Sequence, residues 1–204
     1  MIGRVVREAA ERFGDRSCYV TQAGWALSYR ELDHVADEVA AGLTARGVRP
    51  GDVIALVLPT IPEYVIAYAG AARLGAITAG VNARLAPPER AKVLAAADPA
   101  LVLATAELAP PGREVVEVVA ATATEHALQG LRVPKGTPPD RPHDPDRPVA
   151  IVFTSGTTGT PKGAVFGTRQ LSFVTEVDTG WRWADRAAPP TTPSRPRRSP
   201  TSVR

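Results

Sequence analysis

The sequence predicts an α/β fold, a mainly parallel sheet with flanking helices. Three observations carry this expectation. Continuous apolar runs at 53–58, 77–81, 101–104 and 149–153 are bounded by turn residues, the pattern of strands buried on both faces. Stretches with helical apolar spacing separate the first three. The order therefore alternates strand and helix, which places parallel strands in one sheet through helical crossovers.

Each element has a local reason. Residues 2–13 put Val5, Val6, Ala9, Ala10 and Phe13 at helical spacing, and Gly14 stops the helix. Residues 18–20 and 25–27 flank Ala23-Gly24 as a short hairpin. Ser28 with Glu31 three positions on is a capping box and predicts a helix over 29–45. Its apolar face is Leu32, Val35, Ala36, Val39, Ala40 and Leu43, and Gly47 ends it. Arg49-Pro50-Gly51-Asp52 is a turn into the strand at 53–58. Pro62 suits the first turn of a helix reaching Leu74. A strand follows at 77–81, a helix from Pro87-Pro88 to Ala97, and strands at 101–104 and 115–119. Six prolines between 134 and 148 exclude a regular element there, so this stretch is a loop leading into the strand at 149–153.

Composition bounds the function. The 204 residues, 44% of them hydrophobic, suffice for a core without disulfide or metal staples. Cys18 is the one cysteine, which excludes an intramolecular disulfide framework and fits a reducing compartment. It reads as a small buried hydrophobe. No apolar run can span a bilayer, and Arg4, Arg7, Glu8, Glu11 and Arg12 interrupt the first thirteen residues, unlike a secretory signal. The expectation is a cytoplasmic location without a membrane span. The net charge of +3 is local: residues 185–204 hold five arginines and one acid, leaving 1–184 at −1. The body has no basic face for nucleic acid. His34, His126 and His143 are not at metal-ligand spacing, so no metal site is expected. Trp25, Trp181 and Trp183 read as packing residues, and Asp144 and Asp146 as turn formers beside prolines.

Residues 154–163 carry the chemistry: Thr-Ser-Gly-Thr-Thr-Gly-Thr-Pro-Lys-Gly. Gly156, Gly159 and Gly163 free the backbone to approach a ligand, and successive N–H groups in such a loop form an anion nest. Thr154, Ser155, Thr157 and Thr158 add hydroxyl donors, and Lys162 adds a cation suited to phosphate. The set is a polyphosphate cradle. It is not a Walker A loop, because Lys162 lies between Pro161 and Gly163. Nor is it a G-x-G-x-x-G fingerprint or a G-x-S-x-G nucleophile elbow. Ala164, Val165 and Phe166 after it place the loop between two strands.

The segment from Phe153 to Gly163 resembles the signature of the adenylate-forming enzymes, which include acyl-CoA synthetases, peptide-synthetase adenylation domains and luciferases. Upstream, Ser28-Tyr29-Arg30-Glu31-Leu32, the turn from Val48 to Ala55, the stretch from Pro62 to Ala76, and Asn82-Ala83-Arg84-Leu85 are similar too, and the style is that of acyl-CoA synthetases. The resemblance implies a partial N-terminal domain of that fold and a two-step reaction. A carboxylic acid and ATP give acyl-adenylate and pyrophosphate, and coenzyme A then takes the acyl group. It implies that Thr154, Ser155, Thr157, Thr158 and Lys162 hold the β- and γ-phosphates, with Gly156, Gly159 and Gly163 closing the backbone over them. Gly167-Thr168 stands where the family commonly has a Ser/Thr-His pair. The family's adenine-binding segment, its Tyr-Gly-x-Thr-Glu segment that helps bind Mg2+, its Thr-Gly-Asp and its C-terminal domain with the catalytic lysine have no counterpart here. On this reading residues 1–183 form a truncated AMP-binding domain without a catalytic residue, and the chain alone is inactive. Residues 184–204 are a basic Pro/Arg/Ser/Thr tail for which disorder is expected, with the vocabulary of an out-of-frame reading of GC-rich DNA. The alternative is a non-catalytic nucleotide-binding or interaction module.

Overall fold

The computed structural model describes residues 2–138, 142, 144–154 and 161–171. Its elements are α1 (Ile2–Phe13), β1 (Ser17–Val20), β2 (Ala26–Ser28), α2 (Tyr29–Ala45), β3 (Val53–Val57), α3 (Pro62–Leu74), β4 (Ile77–Gly80), α4 (Pro87–Ala97), β5 (Leu101–Ala104), β6 (Val115–Glu117), β7 (Pro148–Thr154) and β8 (Lys162–Gly167). Short 3-10 turns at Ala106–Leu108 and Thr124–His126 were not expected from the sequence. The expected tail, 184–204, lies outside the described residues.

The α/β expectation holds. Six strands form one sheet in the order β6-β5-β3-β4-β7-β8, and β1 with β2 forms a separate hairpin. The pairings among β6, β5, β3, β4 and β7 are parallel, and β8 turns back antiparallel along β7. The last proline of the 134–148 loop, Pro148, is the first residue of β7, where a missing N–H is tolerated.

The helices form where local chemistry starts and stops them. At α2 the Ser28 hydroxyl accepts from the Glu31 backbone N–H (3.1 Å), while the Glu31 carboxylate accepts from the Ser28 N–H (2.8 Å). The reciprocal pair satisfies two otherwise orphaned groups at the cap. At its far end the N–H of Val48 reaches the Leu43 carbonyl and that of Gly47 the Thr44 carbonyl, a Schellman closure.

The sheet separates two apolar layers. Ile54 and Leu56 of β3 join Leu101 and Leu103 against Val39 and Leu43 of α2 and Ile66 and Leu74 of α3. Ala55, Val57, Val102 and Ala104 face Val93 and Leu94 of α4. Alternate residues of β3 thus point to opposite layers, and both sets are buried. Each fully buried leucine or isoleucine there contributes about 1.5–3 kcal/mol from its removal from water.

An irregular strap, residues 118–136, closes the α2/α3 side. It has no long element of its own and is held by carboxylates from the helices, Glu38 and Glu63 buried and Glu31 half-buried. Glu63 of α3 accepts the Ala121 N–H at 2.6 Å. Glu31 accepts the Thr124 hydroxyl at 2.9 Å. Glu38 accepts the Lys135 N–H at 2.8 Å and pairs with Arg132. Gly42 makes this close approach possible, since a Cβ there would sit 1.6 Å from the Leu131 carbonyl oxygen.

Candidate functional site

The phosphate-loop sequence begins where a parallel strand ends. β7 runs parallel to β4, so its C-terminal end lies at the same end of the sheet as the loops leaving β3 and β4. Those two loops diverge to opposite faces, one into α3 and the other into α4. The crevice at such a divergence, at the carboxyl ends of the strands, is where open α/β sheets take ligands.

Among the candidate residues, Thr154, Lys162 and Gly163 are described, and Ser155, Gly156, Thr157, Thr158 and Gly159 lie outside the described residues. Thr154 ends β7 and Lys162 begins β8, and the two are direct cross-strand partners. The Thr154 hydroxyl donates to the Lys162 carbonyl at 3.5 Å. The antiparallel pairing therefore brings both stems of the loop together. The expected placement between two strands is what the chain adopts. Lys162 is exposed, and among the described residues its ammonium has no acidic partner. A cation at a loop stem with no acidic partner among the described residues can take an anion.

Gly163 sits opposite Phe153 within the ladder. A Cβ at 163 would come 2.7 Å from the Ile151 Cγ2 and 3.0 Å from the Phe153 ring. Its lack of a side chain is what lets the Phe153 ring lie across β8, a packing reason in addition to the phosphate-side role that the resemblance assigns it.

A cleft of about 770 Å³ adjoins these stems, lined among others by Pro59, Tyr64, Thr78, Asn82, Arg84 and Val152. It runs along β7 as far as Phe153, next to Thr154. Burial raises the phenol pKa values of Tyr64 and Tyr68 on its α3 wall, so both hydroxyls stay protonated donors. The Asn82 side chain accepts the Arg84 N–H at 2.9 Å, an Asx turn that shapes the rim. Sequence reading did not single out this cleft. The signal that could have found it was the strand–helix alternation, which puts the loops after β3 and β4 at one end.

The remaining candidates have structural roles. Cys18 is half-buried, its thiol donates to the Leu27 carbonyl at 3.2 Å, and burial pushes it up to about 11. Trp25 is buried and its indole N–H reaches the Thr124 hydroxyl. Asp144 accepts the Asp146 N–H at 2.9 Å as a turn former. His34 stands 3.2 Å from the Glu38 carboxylate on α2. His143, Trp181 and Trp183 lie outside the described residues. Among the described residues no group of three or more His, Cys, Asp or Glu side chains could hold a metal ion. No helix among them is long and apolar enough to cross a membrane.

Comparison with known proteins agrees with this fold. The family described as AMP-binding enzyme matches residues 6–193. A feruloyl-CoA synthase of Amycolatopsis sp is 37% identical over 161 residues, covering 76% of this chain and 31% of that protein. The 4-coumarate–CoA ligase CCL1 of Humulus lupulus is 33% identical over 186 residues, covering 84% of this chain and 34% of the ligase. The solved N-terminal domain of FACL13 from Mycobacterium tuberculosis superposes with a TM-score of 0.67 at 30% identity, covering 82% of this chain and 44% of that domain. The chain spans about a third of the length of the curated relatives it matches. It belongs to the AMP-binding enzyme family.

Proposed function

We propose that this chain supplies the polyphosphate-binding part of an AMP-forming acid–thiol ligase, a cytoplasmic acyl-CoA synthetase. The observation that supports the reading is the joining of Thr154 and Lys162 at the carboxyl end of β7, which closes a loop of donors and a cation at the ligand end of the sheet. In the first step a carboxylate oxygen bonds to the α-phosphorus of ATP, and the bond to the bridging oxygen breaks. Pyrophosphate leaves with that electron pair. In the second step the coenzyme A sulfur bonds to the acyl carbon, AMP leaves and the thiol proton is released.

The chain's own contribution is to the leaving group. Thr154, Ser155, Thr157, Thr158 and Lys162 hold the β- and γ-phosphates, and charge on the departing pyrophosphate is stabilised by hydroxyl and N–H donors and by Lys162. Gly156, Gly159 and Gly163 let the backbone approach. Mg2+ would offset phosphate charge when bound. Among the described residues no group of three or more His, Cys, Asp or Glu side chains stands ready to hold it alone. The adenine, ribose and acid contacts, and the lysine expected of a complete ligase, are not assigned to any residue of this chain. On this reading the 204 residues alone do not catalyse adenylation.

The test is carboxylate-dependent ATP–pyrophosphate exchange by the purified chain, with 4-coumarate and ferulate as probe acids and Mg2+ present, alongside ATP binding by calorimetry. The expected result is ATP binding weakened about tenfold by Lys162→Ala, the order of one lost charge-assisted contact, and no exchange. Exchange by the chain alone would overturn its inactivity. ATP binding unaffected by Lys162→Ala would overturn the assignment of the loop.

A further inference from the structure

β7 carries one stem of the phosphate loop, and a short ladder ties it to the body of the sheet. Its parallel pairing with β4 spans three residue pairs: Thr78 with Ala150, Ala79 with Ile151 and Gly80 with Val152. Its other neighbour, β8, belongs to the same hairpin and would move with it. Val149, Ala150, Ile151, Val152 and Phe153 are all apolar, so the two faces of β7 are alike. A strand whose faces differ resists slipping, because a one-residue shift exchanges them. β7 lacks that protection. A slip of one residue would displace Thr154 by about 3.3 Å along the sheet, and a slip of two by about 7 Å. Either would put the loop out of step with the turns that leave β3 and β4.

A side chain supplies what the apolar pattern does not. Thr78 of β4 is buried, and its hydroxyl donates to the Val149 carbonyl at 3.2 Å. This bond crosses from β4 to β7 in addition to the backbone ladder. It falls where the β7–β8 pairing is irregular, between Pro148 and Ala150. Such irregularities re-aim a strand and fix its register when something holds them. A one-residue slip would turn the Val149 carbonyl away from Thr78, and a two-residue slip would carry the irregularity past it. Behind Thr78, the Tyr68 phenol of α3 hydrogen-bonds with the same hydroxyl. Burial pushes the Tyr68 phenol up, so it stays a donor, and Thr78 can accept from it while donating to Val149. One run of hydroxyls therefore joins α3, β4 and β7.

We propose that Thr78, backed by Tyr68, is a positioning residue: it pins the register of β7 on β4 and so sets where the loop stems Thr154 and Lys162 stand. The effect on phosphate binding rests on the ligase reading, whereas the effect on register does not.

The test uses the whole 204-residue chain and three variants. Thr78→Val keeps the branched shape and removes the hydroxyl, Thr78→Ser keeps the hydroxyl, and Tyr68→Phe removes the group behind it. NMR reads the register from backbone contacts between Gly80 and Val152, and calorimetry reads ATP binding. The unsubstituted chain and Thr78→Ser are expected to show one set of contacts and similar affinity. Thr78→Val is expected to add a second set, with Val152 against a residue other than Gly80. It should also weaken ATP binding about two- to tenfold, the range of one lost buried hydrogen bond. Tyr68→Phe should give the same changes to a smaller extent. A merely structural role would lower the melting temperature of Thr78→Val and leave register and affinity unmoved, and that result would overturn the proposal. So would a second register in Thr78→Ser. If Thr78→Val does not fold, Tyr68→Phe decides, and unchanged contacts in it would overturn the pin. If no form binds ATP, the ligase reading fails, and the Gly80–Val152 contacts still decide whether Thr78 sets the register.

Discussion

The strap over α2 and α3 and the β7–β8 hairpin are opposites. The strap is irregular in backbone yet tightly held. The hairpin is regular from Ala150 to Thr154, yet Val152 and Val165 leave it partly exposed on both faces. Regularity satisfies backbone groups within a segment, whereas anchoring needs contacts between segments. The strap obtains these from side chains: Glu31, Glu38 and Glu63 accept from it, and Arg132 reaches back to carbonyls of Thr124, Glu125 and Ala127. The hairpin obtains fewer of these, from its pairing with β4 and from Phe153 against the α4 layer.

The sharpest test of this contrast is Glu38→Ala. It leaves the Lys135 N–H without its acceptor and the largely buried Arg132 without its carboxylate partner. The loss expected is about 3 kcal/mol, the low end for a broken buried pair, because Arg132 keeps its carbonyl contacts. Urea unfolding reads it, and a change under 1 kcal/mol would mean that the strap is not fastened there.

Acid should loosen the same region next. Burial opposes ionisation of Glu38, but the Lys135 N–H and Arg132 outweigh it and hold its carboxyl below the usual range. For Glu31 burial is likewise outweighed, by Ser28 and Thr124. A depressed folded pKa means that these groups stabilise the fold above their unfolded value, about 4.3. That contribution disappears as pH falls through the lower folded value. The urea midpoint should therefore drop below about pH 4.3, and Glu38→Gln should flatten the drop. An unchanged slope in that variant would assign the acid sensitivity elsewhere.

The smallest effect is expected at the hairpin. Val165→Thr replaces an exposed methyl and should change stability by less than about 0.5 kcal/mol, as surface substitutions usually do. A loss above 1 kcal/mol would show that Val165 is already covered in the isolated chain.

Local chemistry was the legible part. The capping box at Ser28 and Glu31 marked α2 to the residue, and Pro62 did the same for the start of α3. The family was legible because the residue types and spacing of 153–163 resemble its signature, and the family model matches residues 6–193. The strand at 115–119 shortened to Val115–Glu117: Val118 is buried and makes a last hydrogen bond from its N–H to the Ala104 carbonyl (2.8 Å), and Val119 turns out to solvent.

The sequence by itself determined the elements, their alternation and the Gly, Thr, Ser and Lys composition of 154–163, because caps, turns and periodicity act over a few neighbouring residues. Only the tertiary structure decided that β7 returns to pair with β4, that Glu31, Glu38 and Glu63 hold one strap, and that a cleft opens between the β3 and β4 loops. The partners in these contacts stand some 58 to 97 positions apart in the chain. No local pattern records such a pairing, because its energy comes from burial and hydrogen bonds that exist only once the layers have packed.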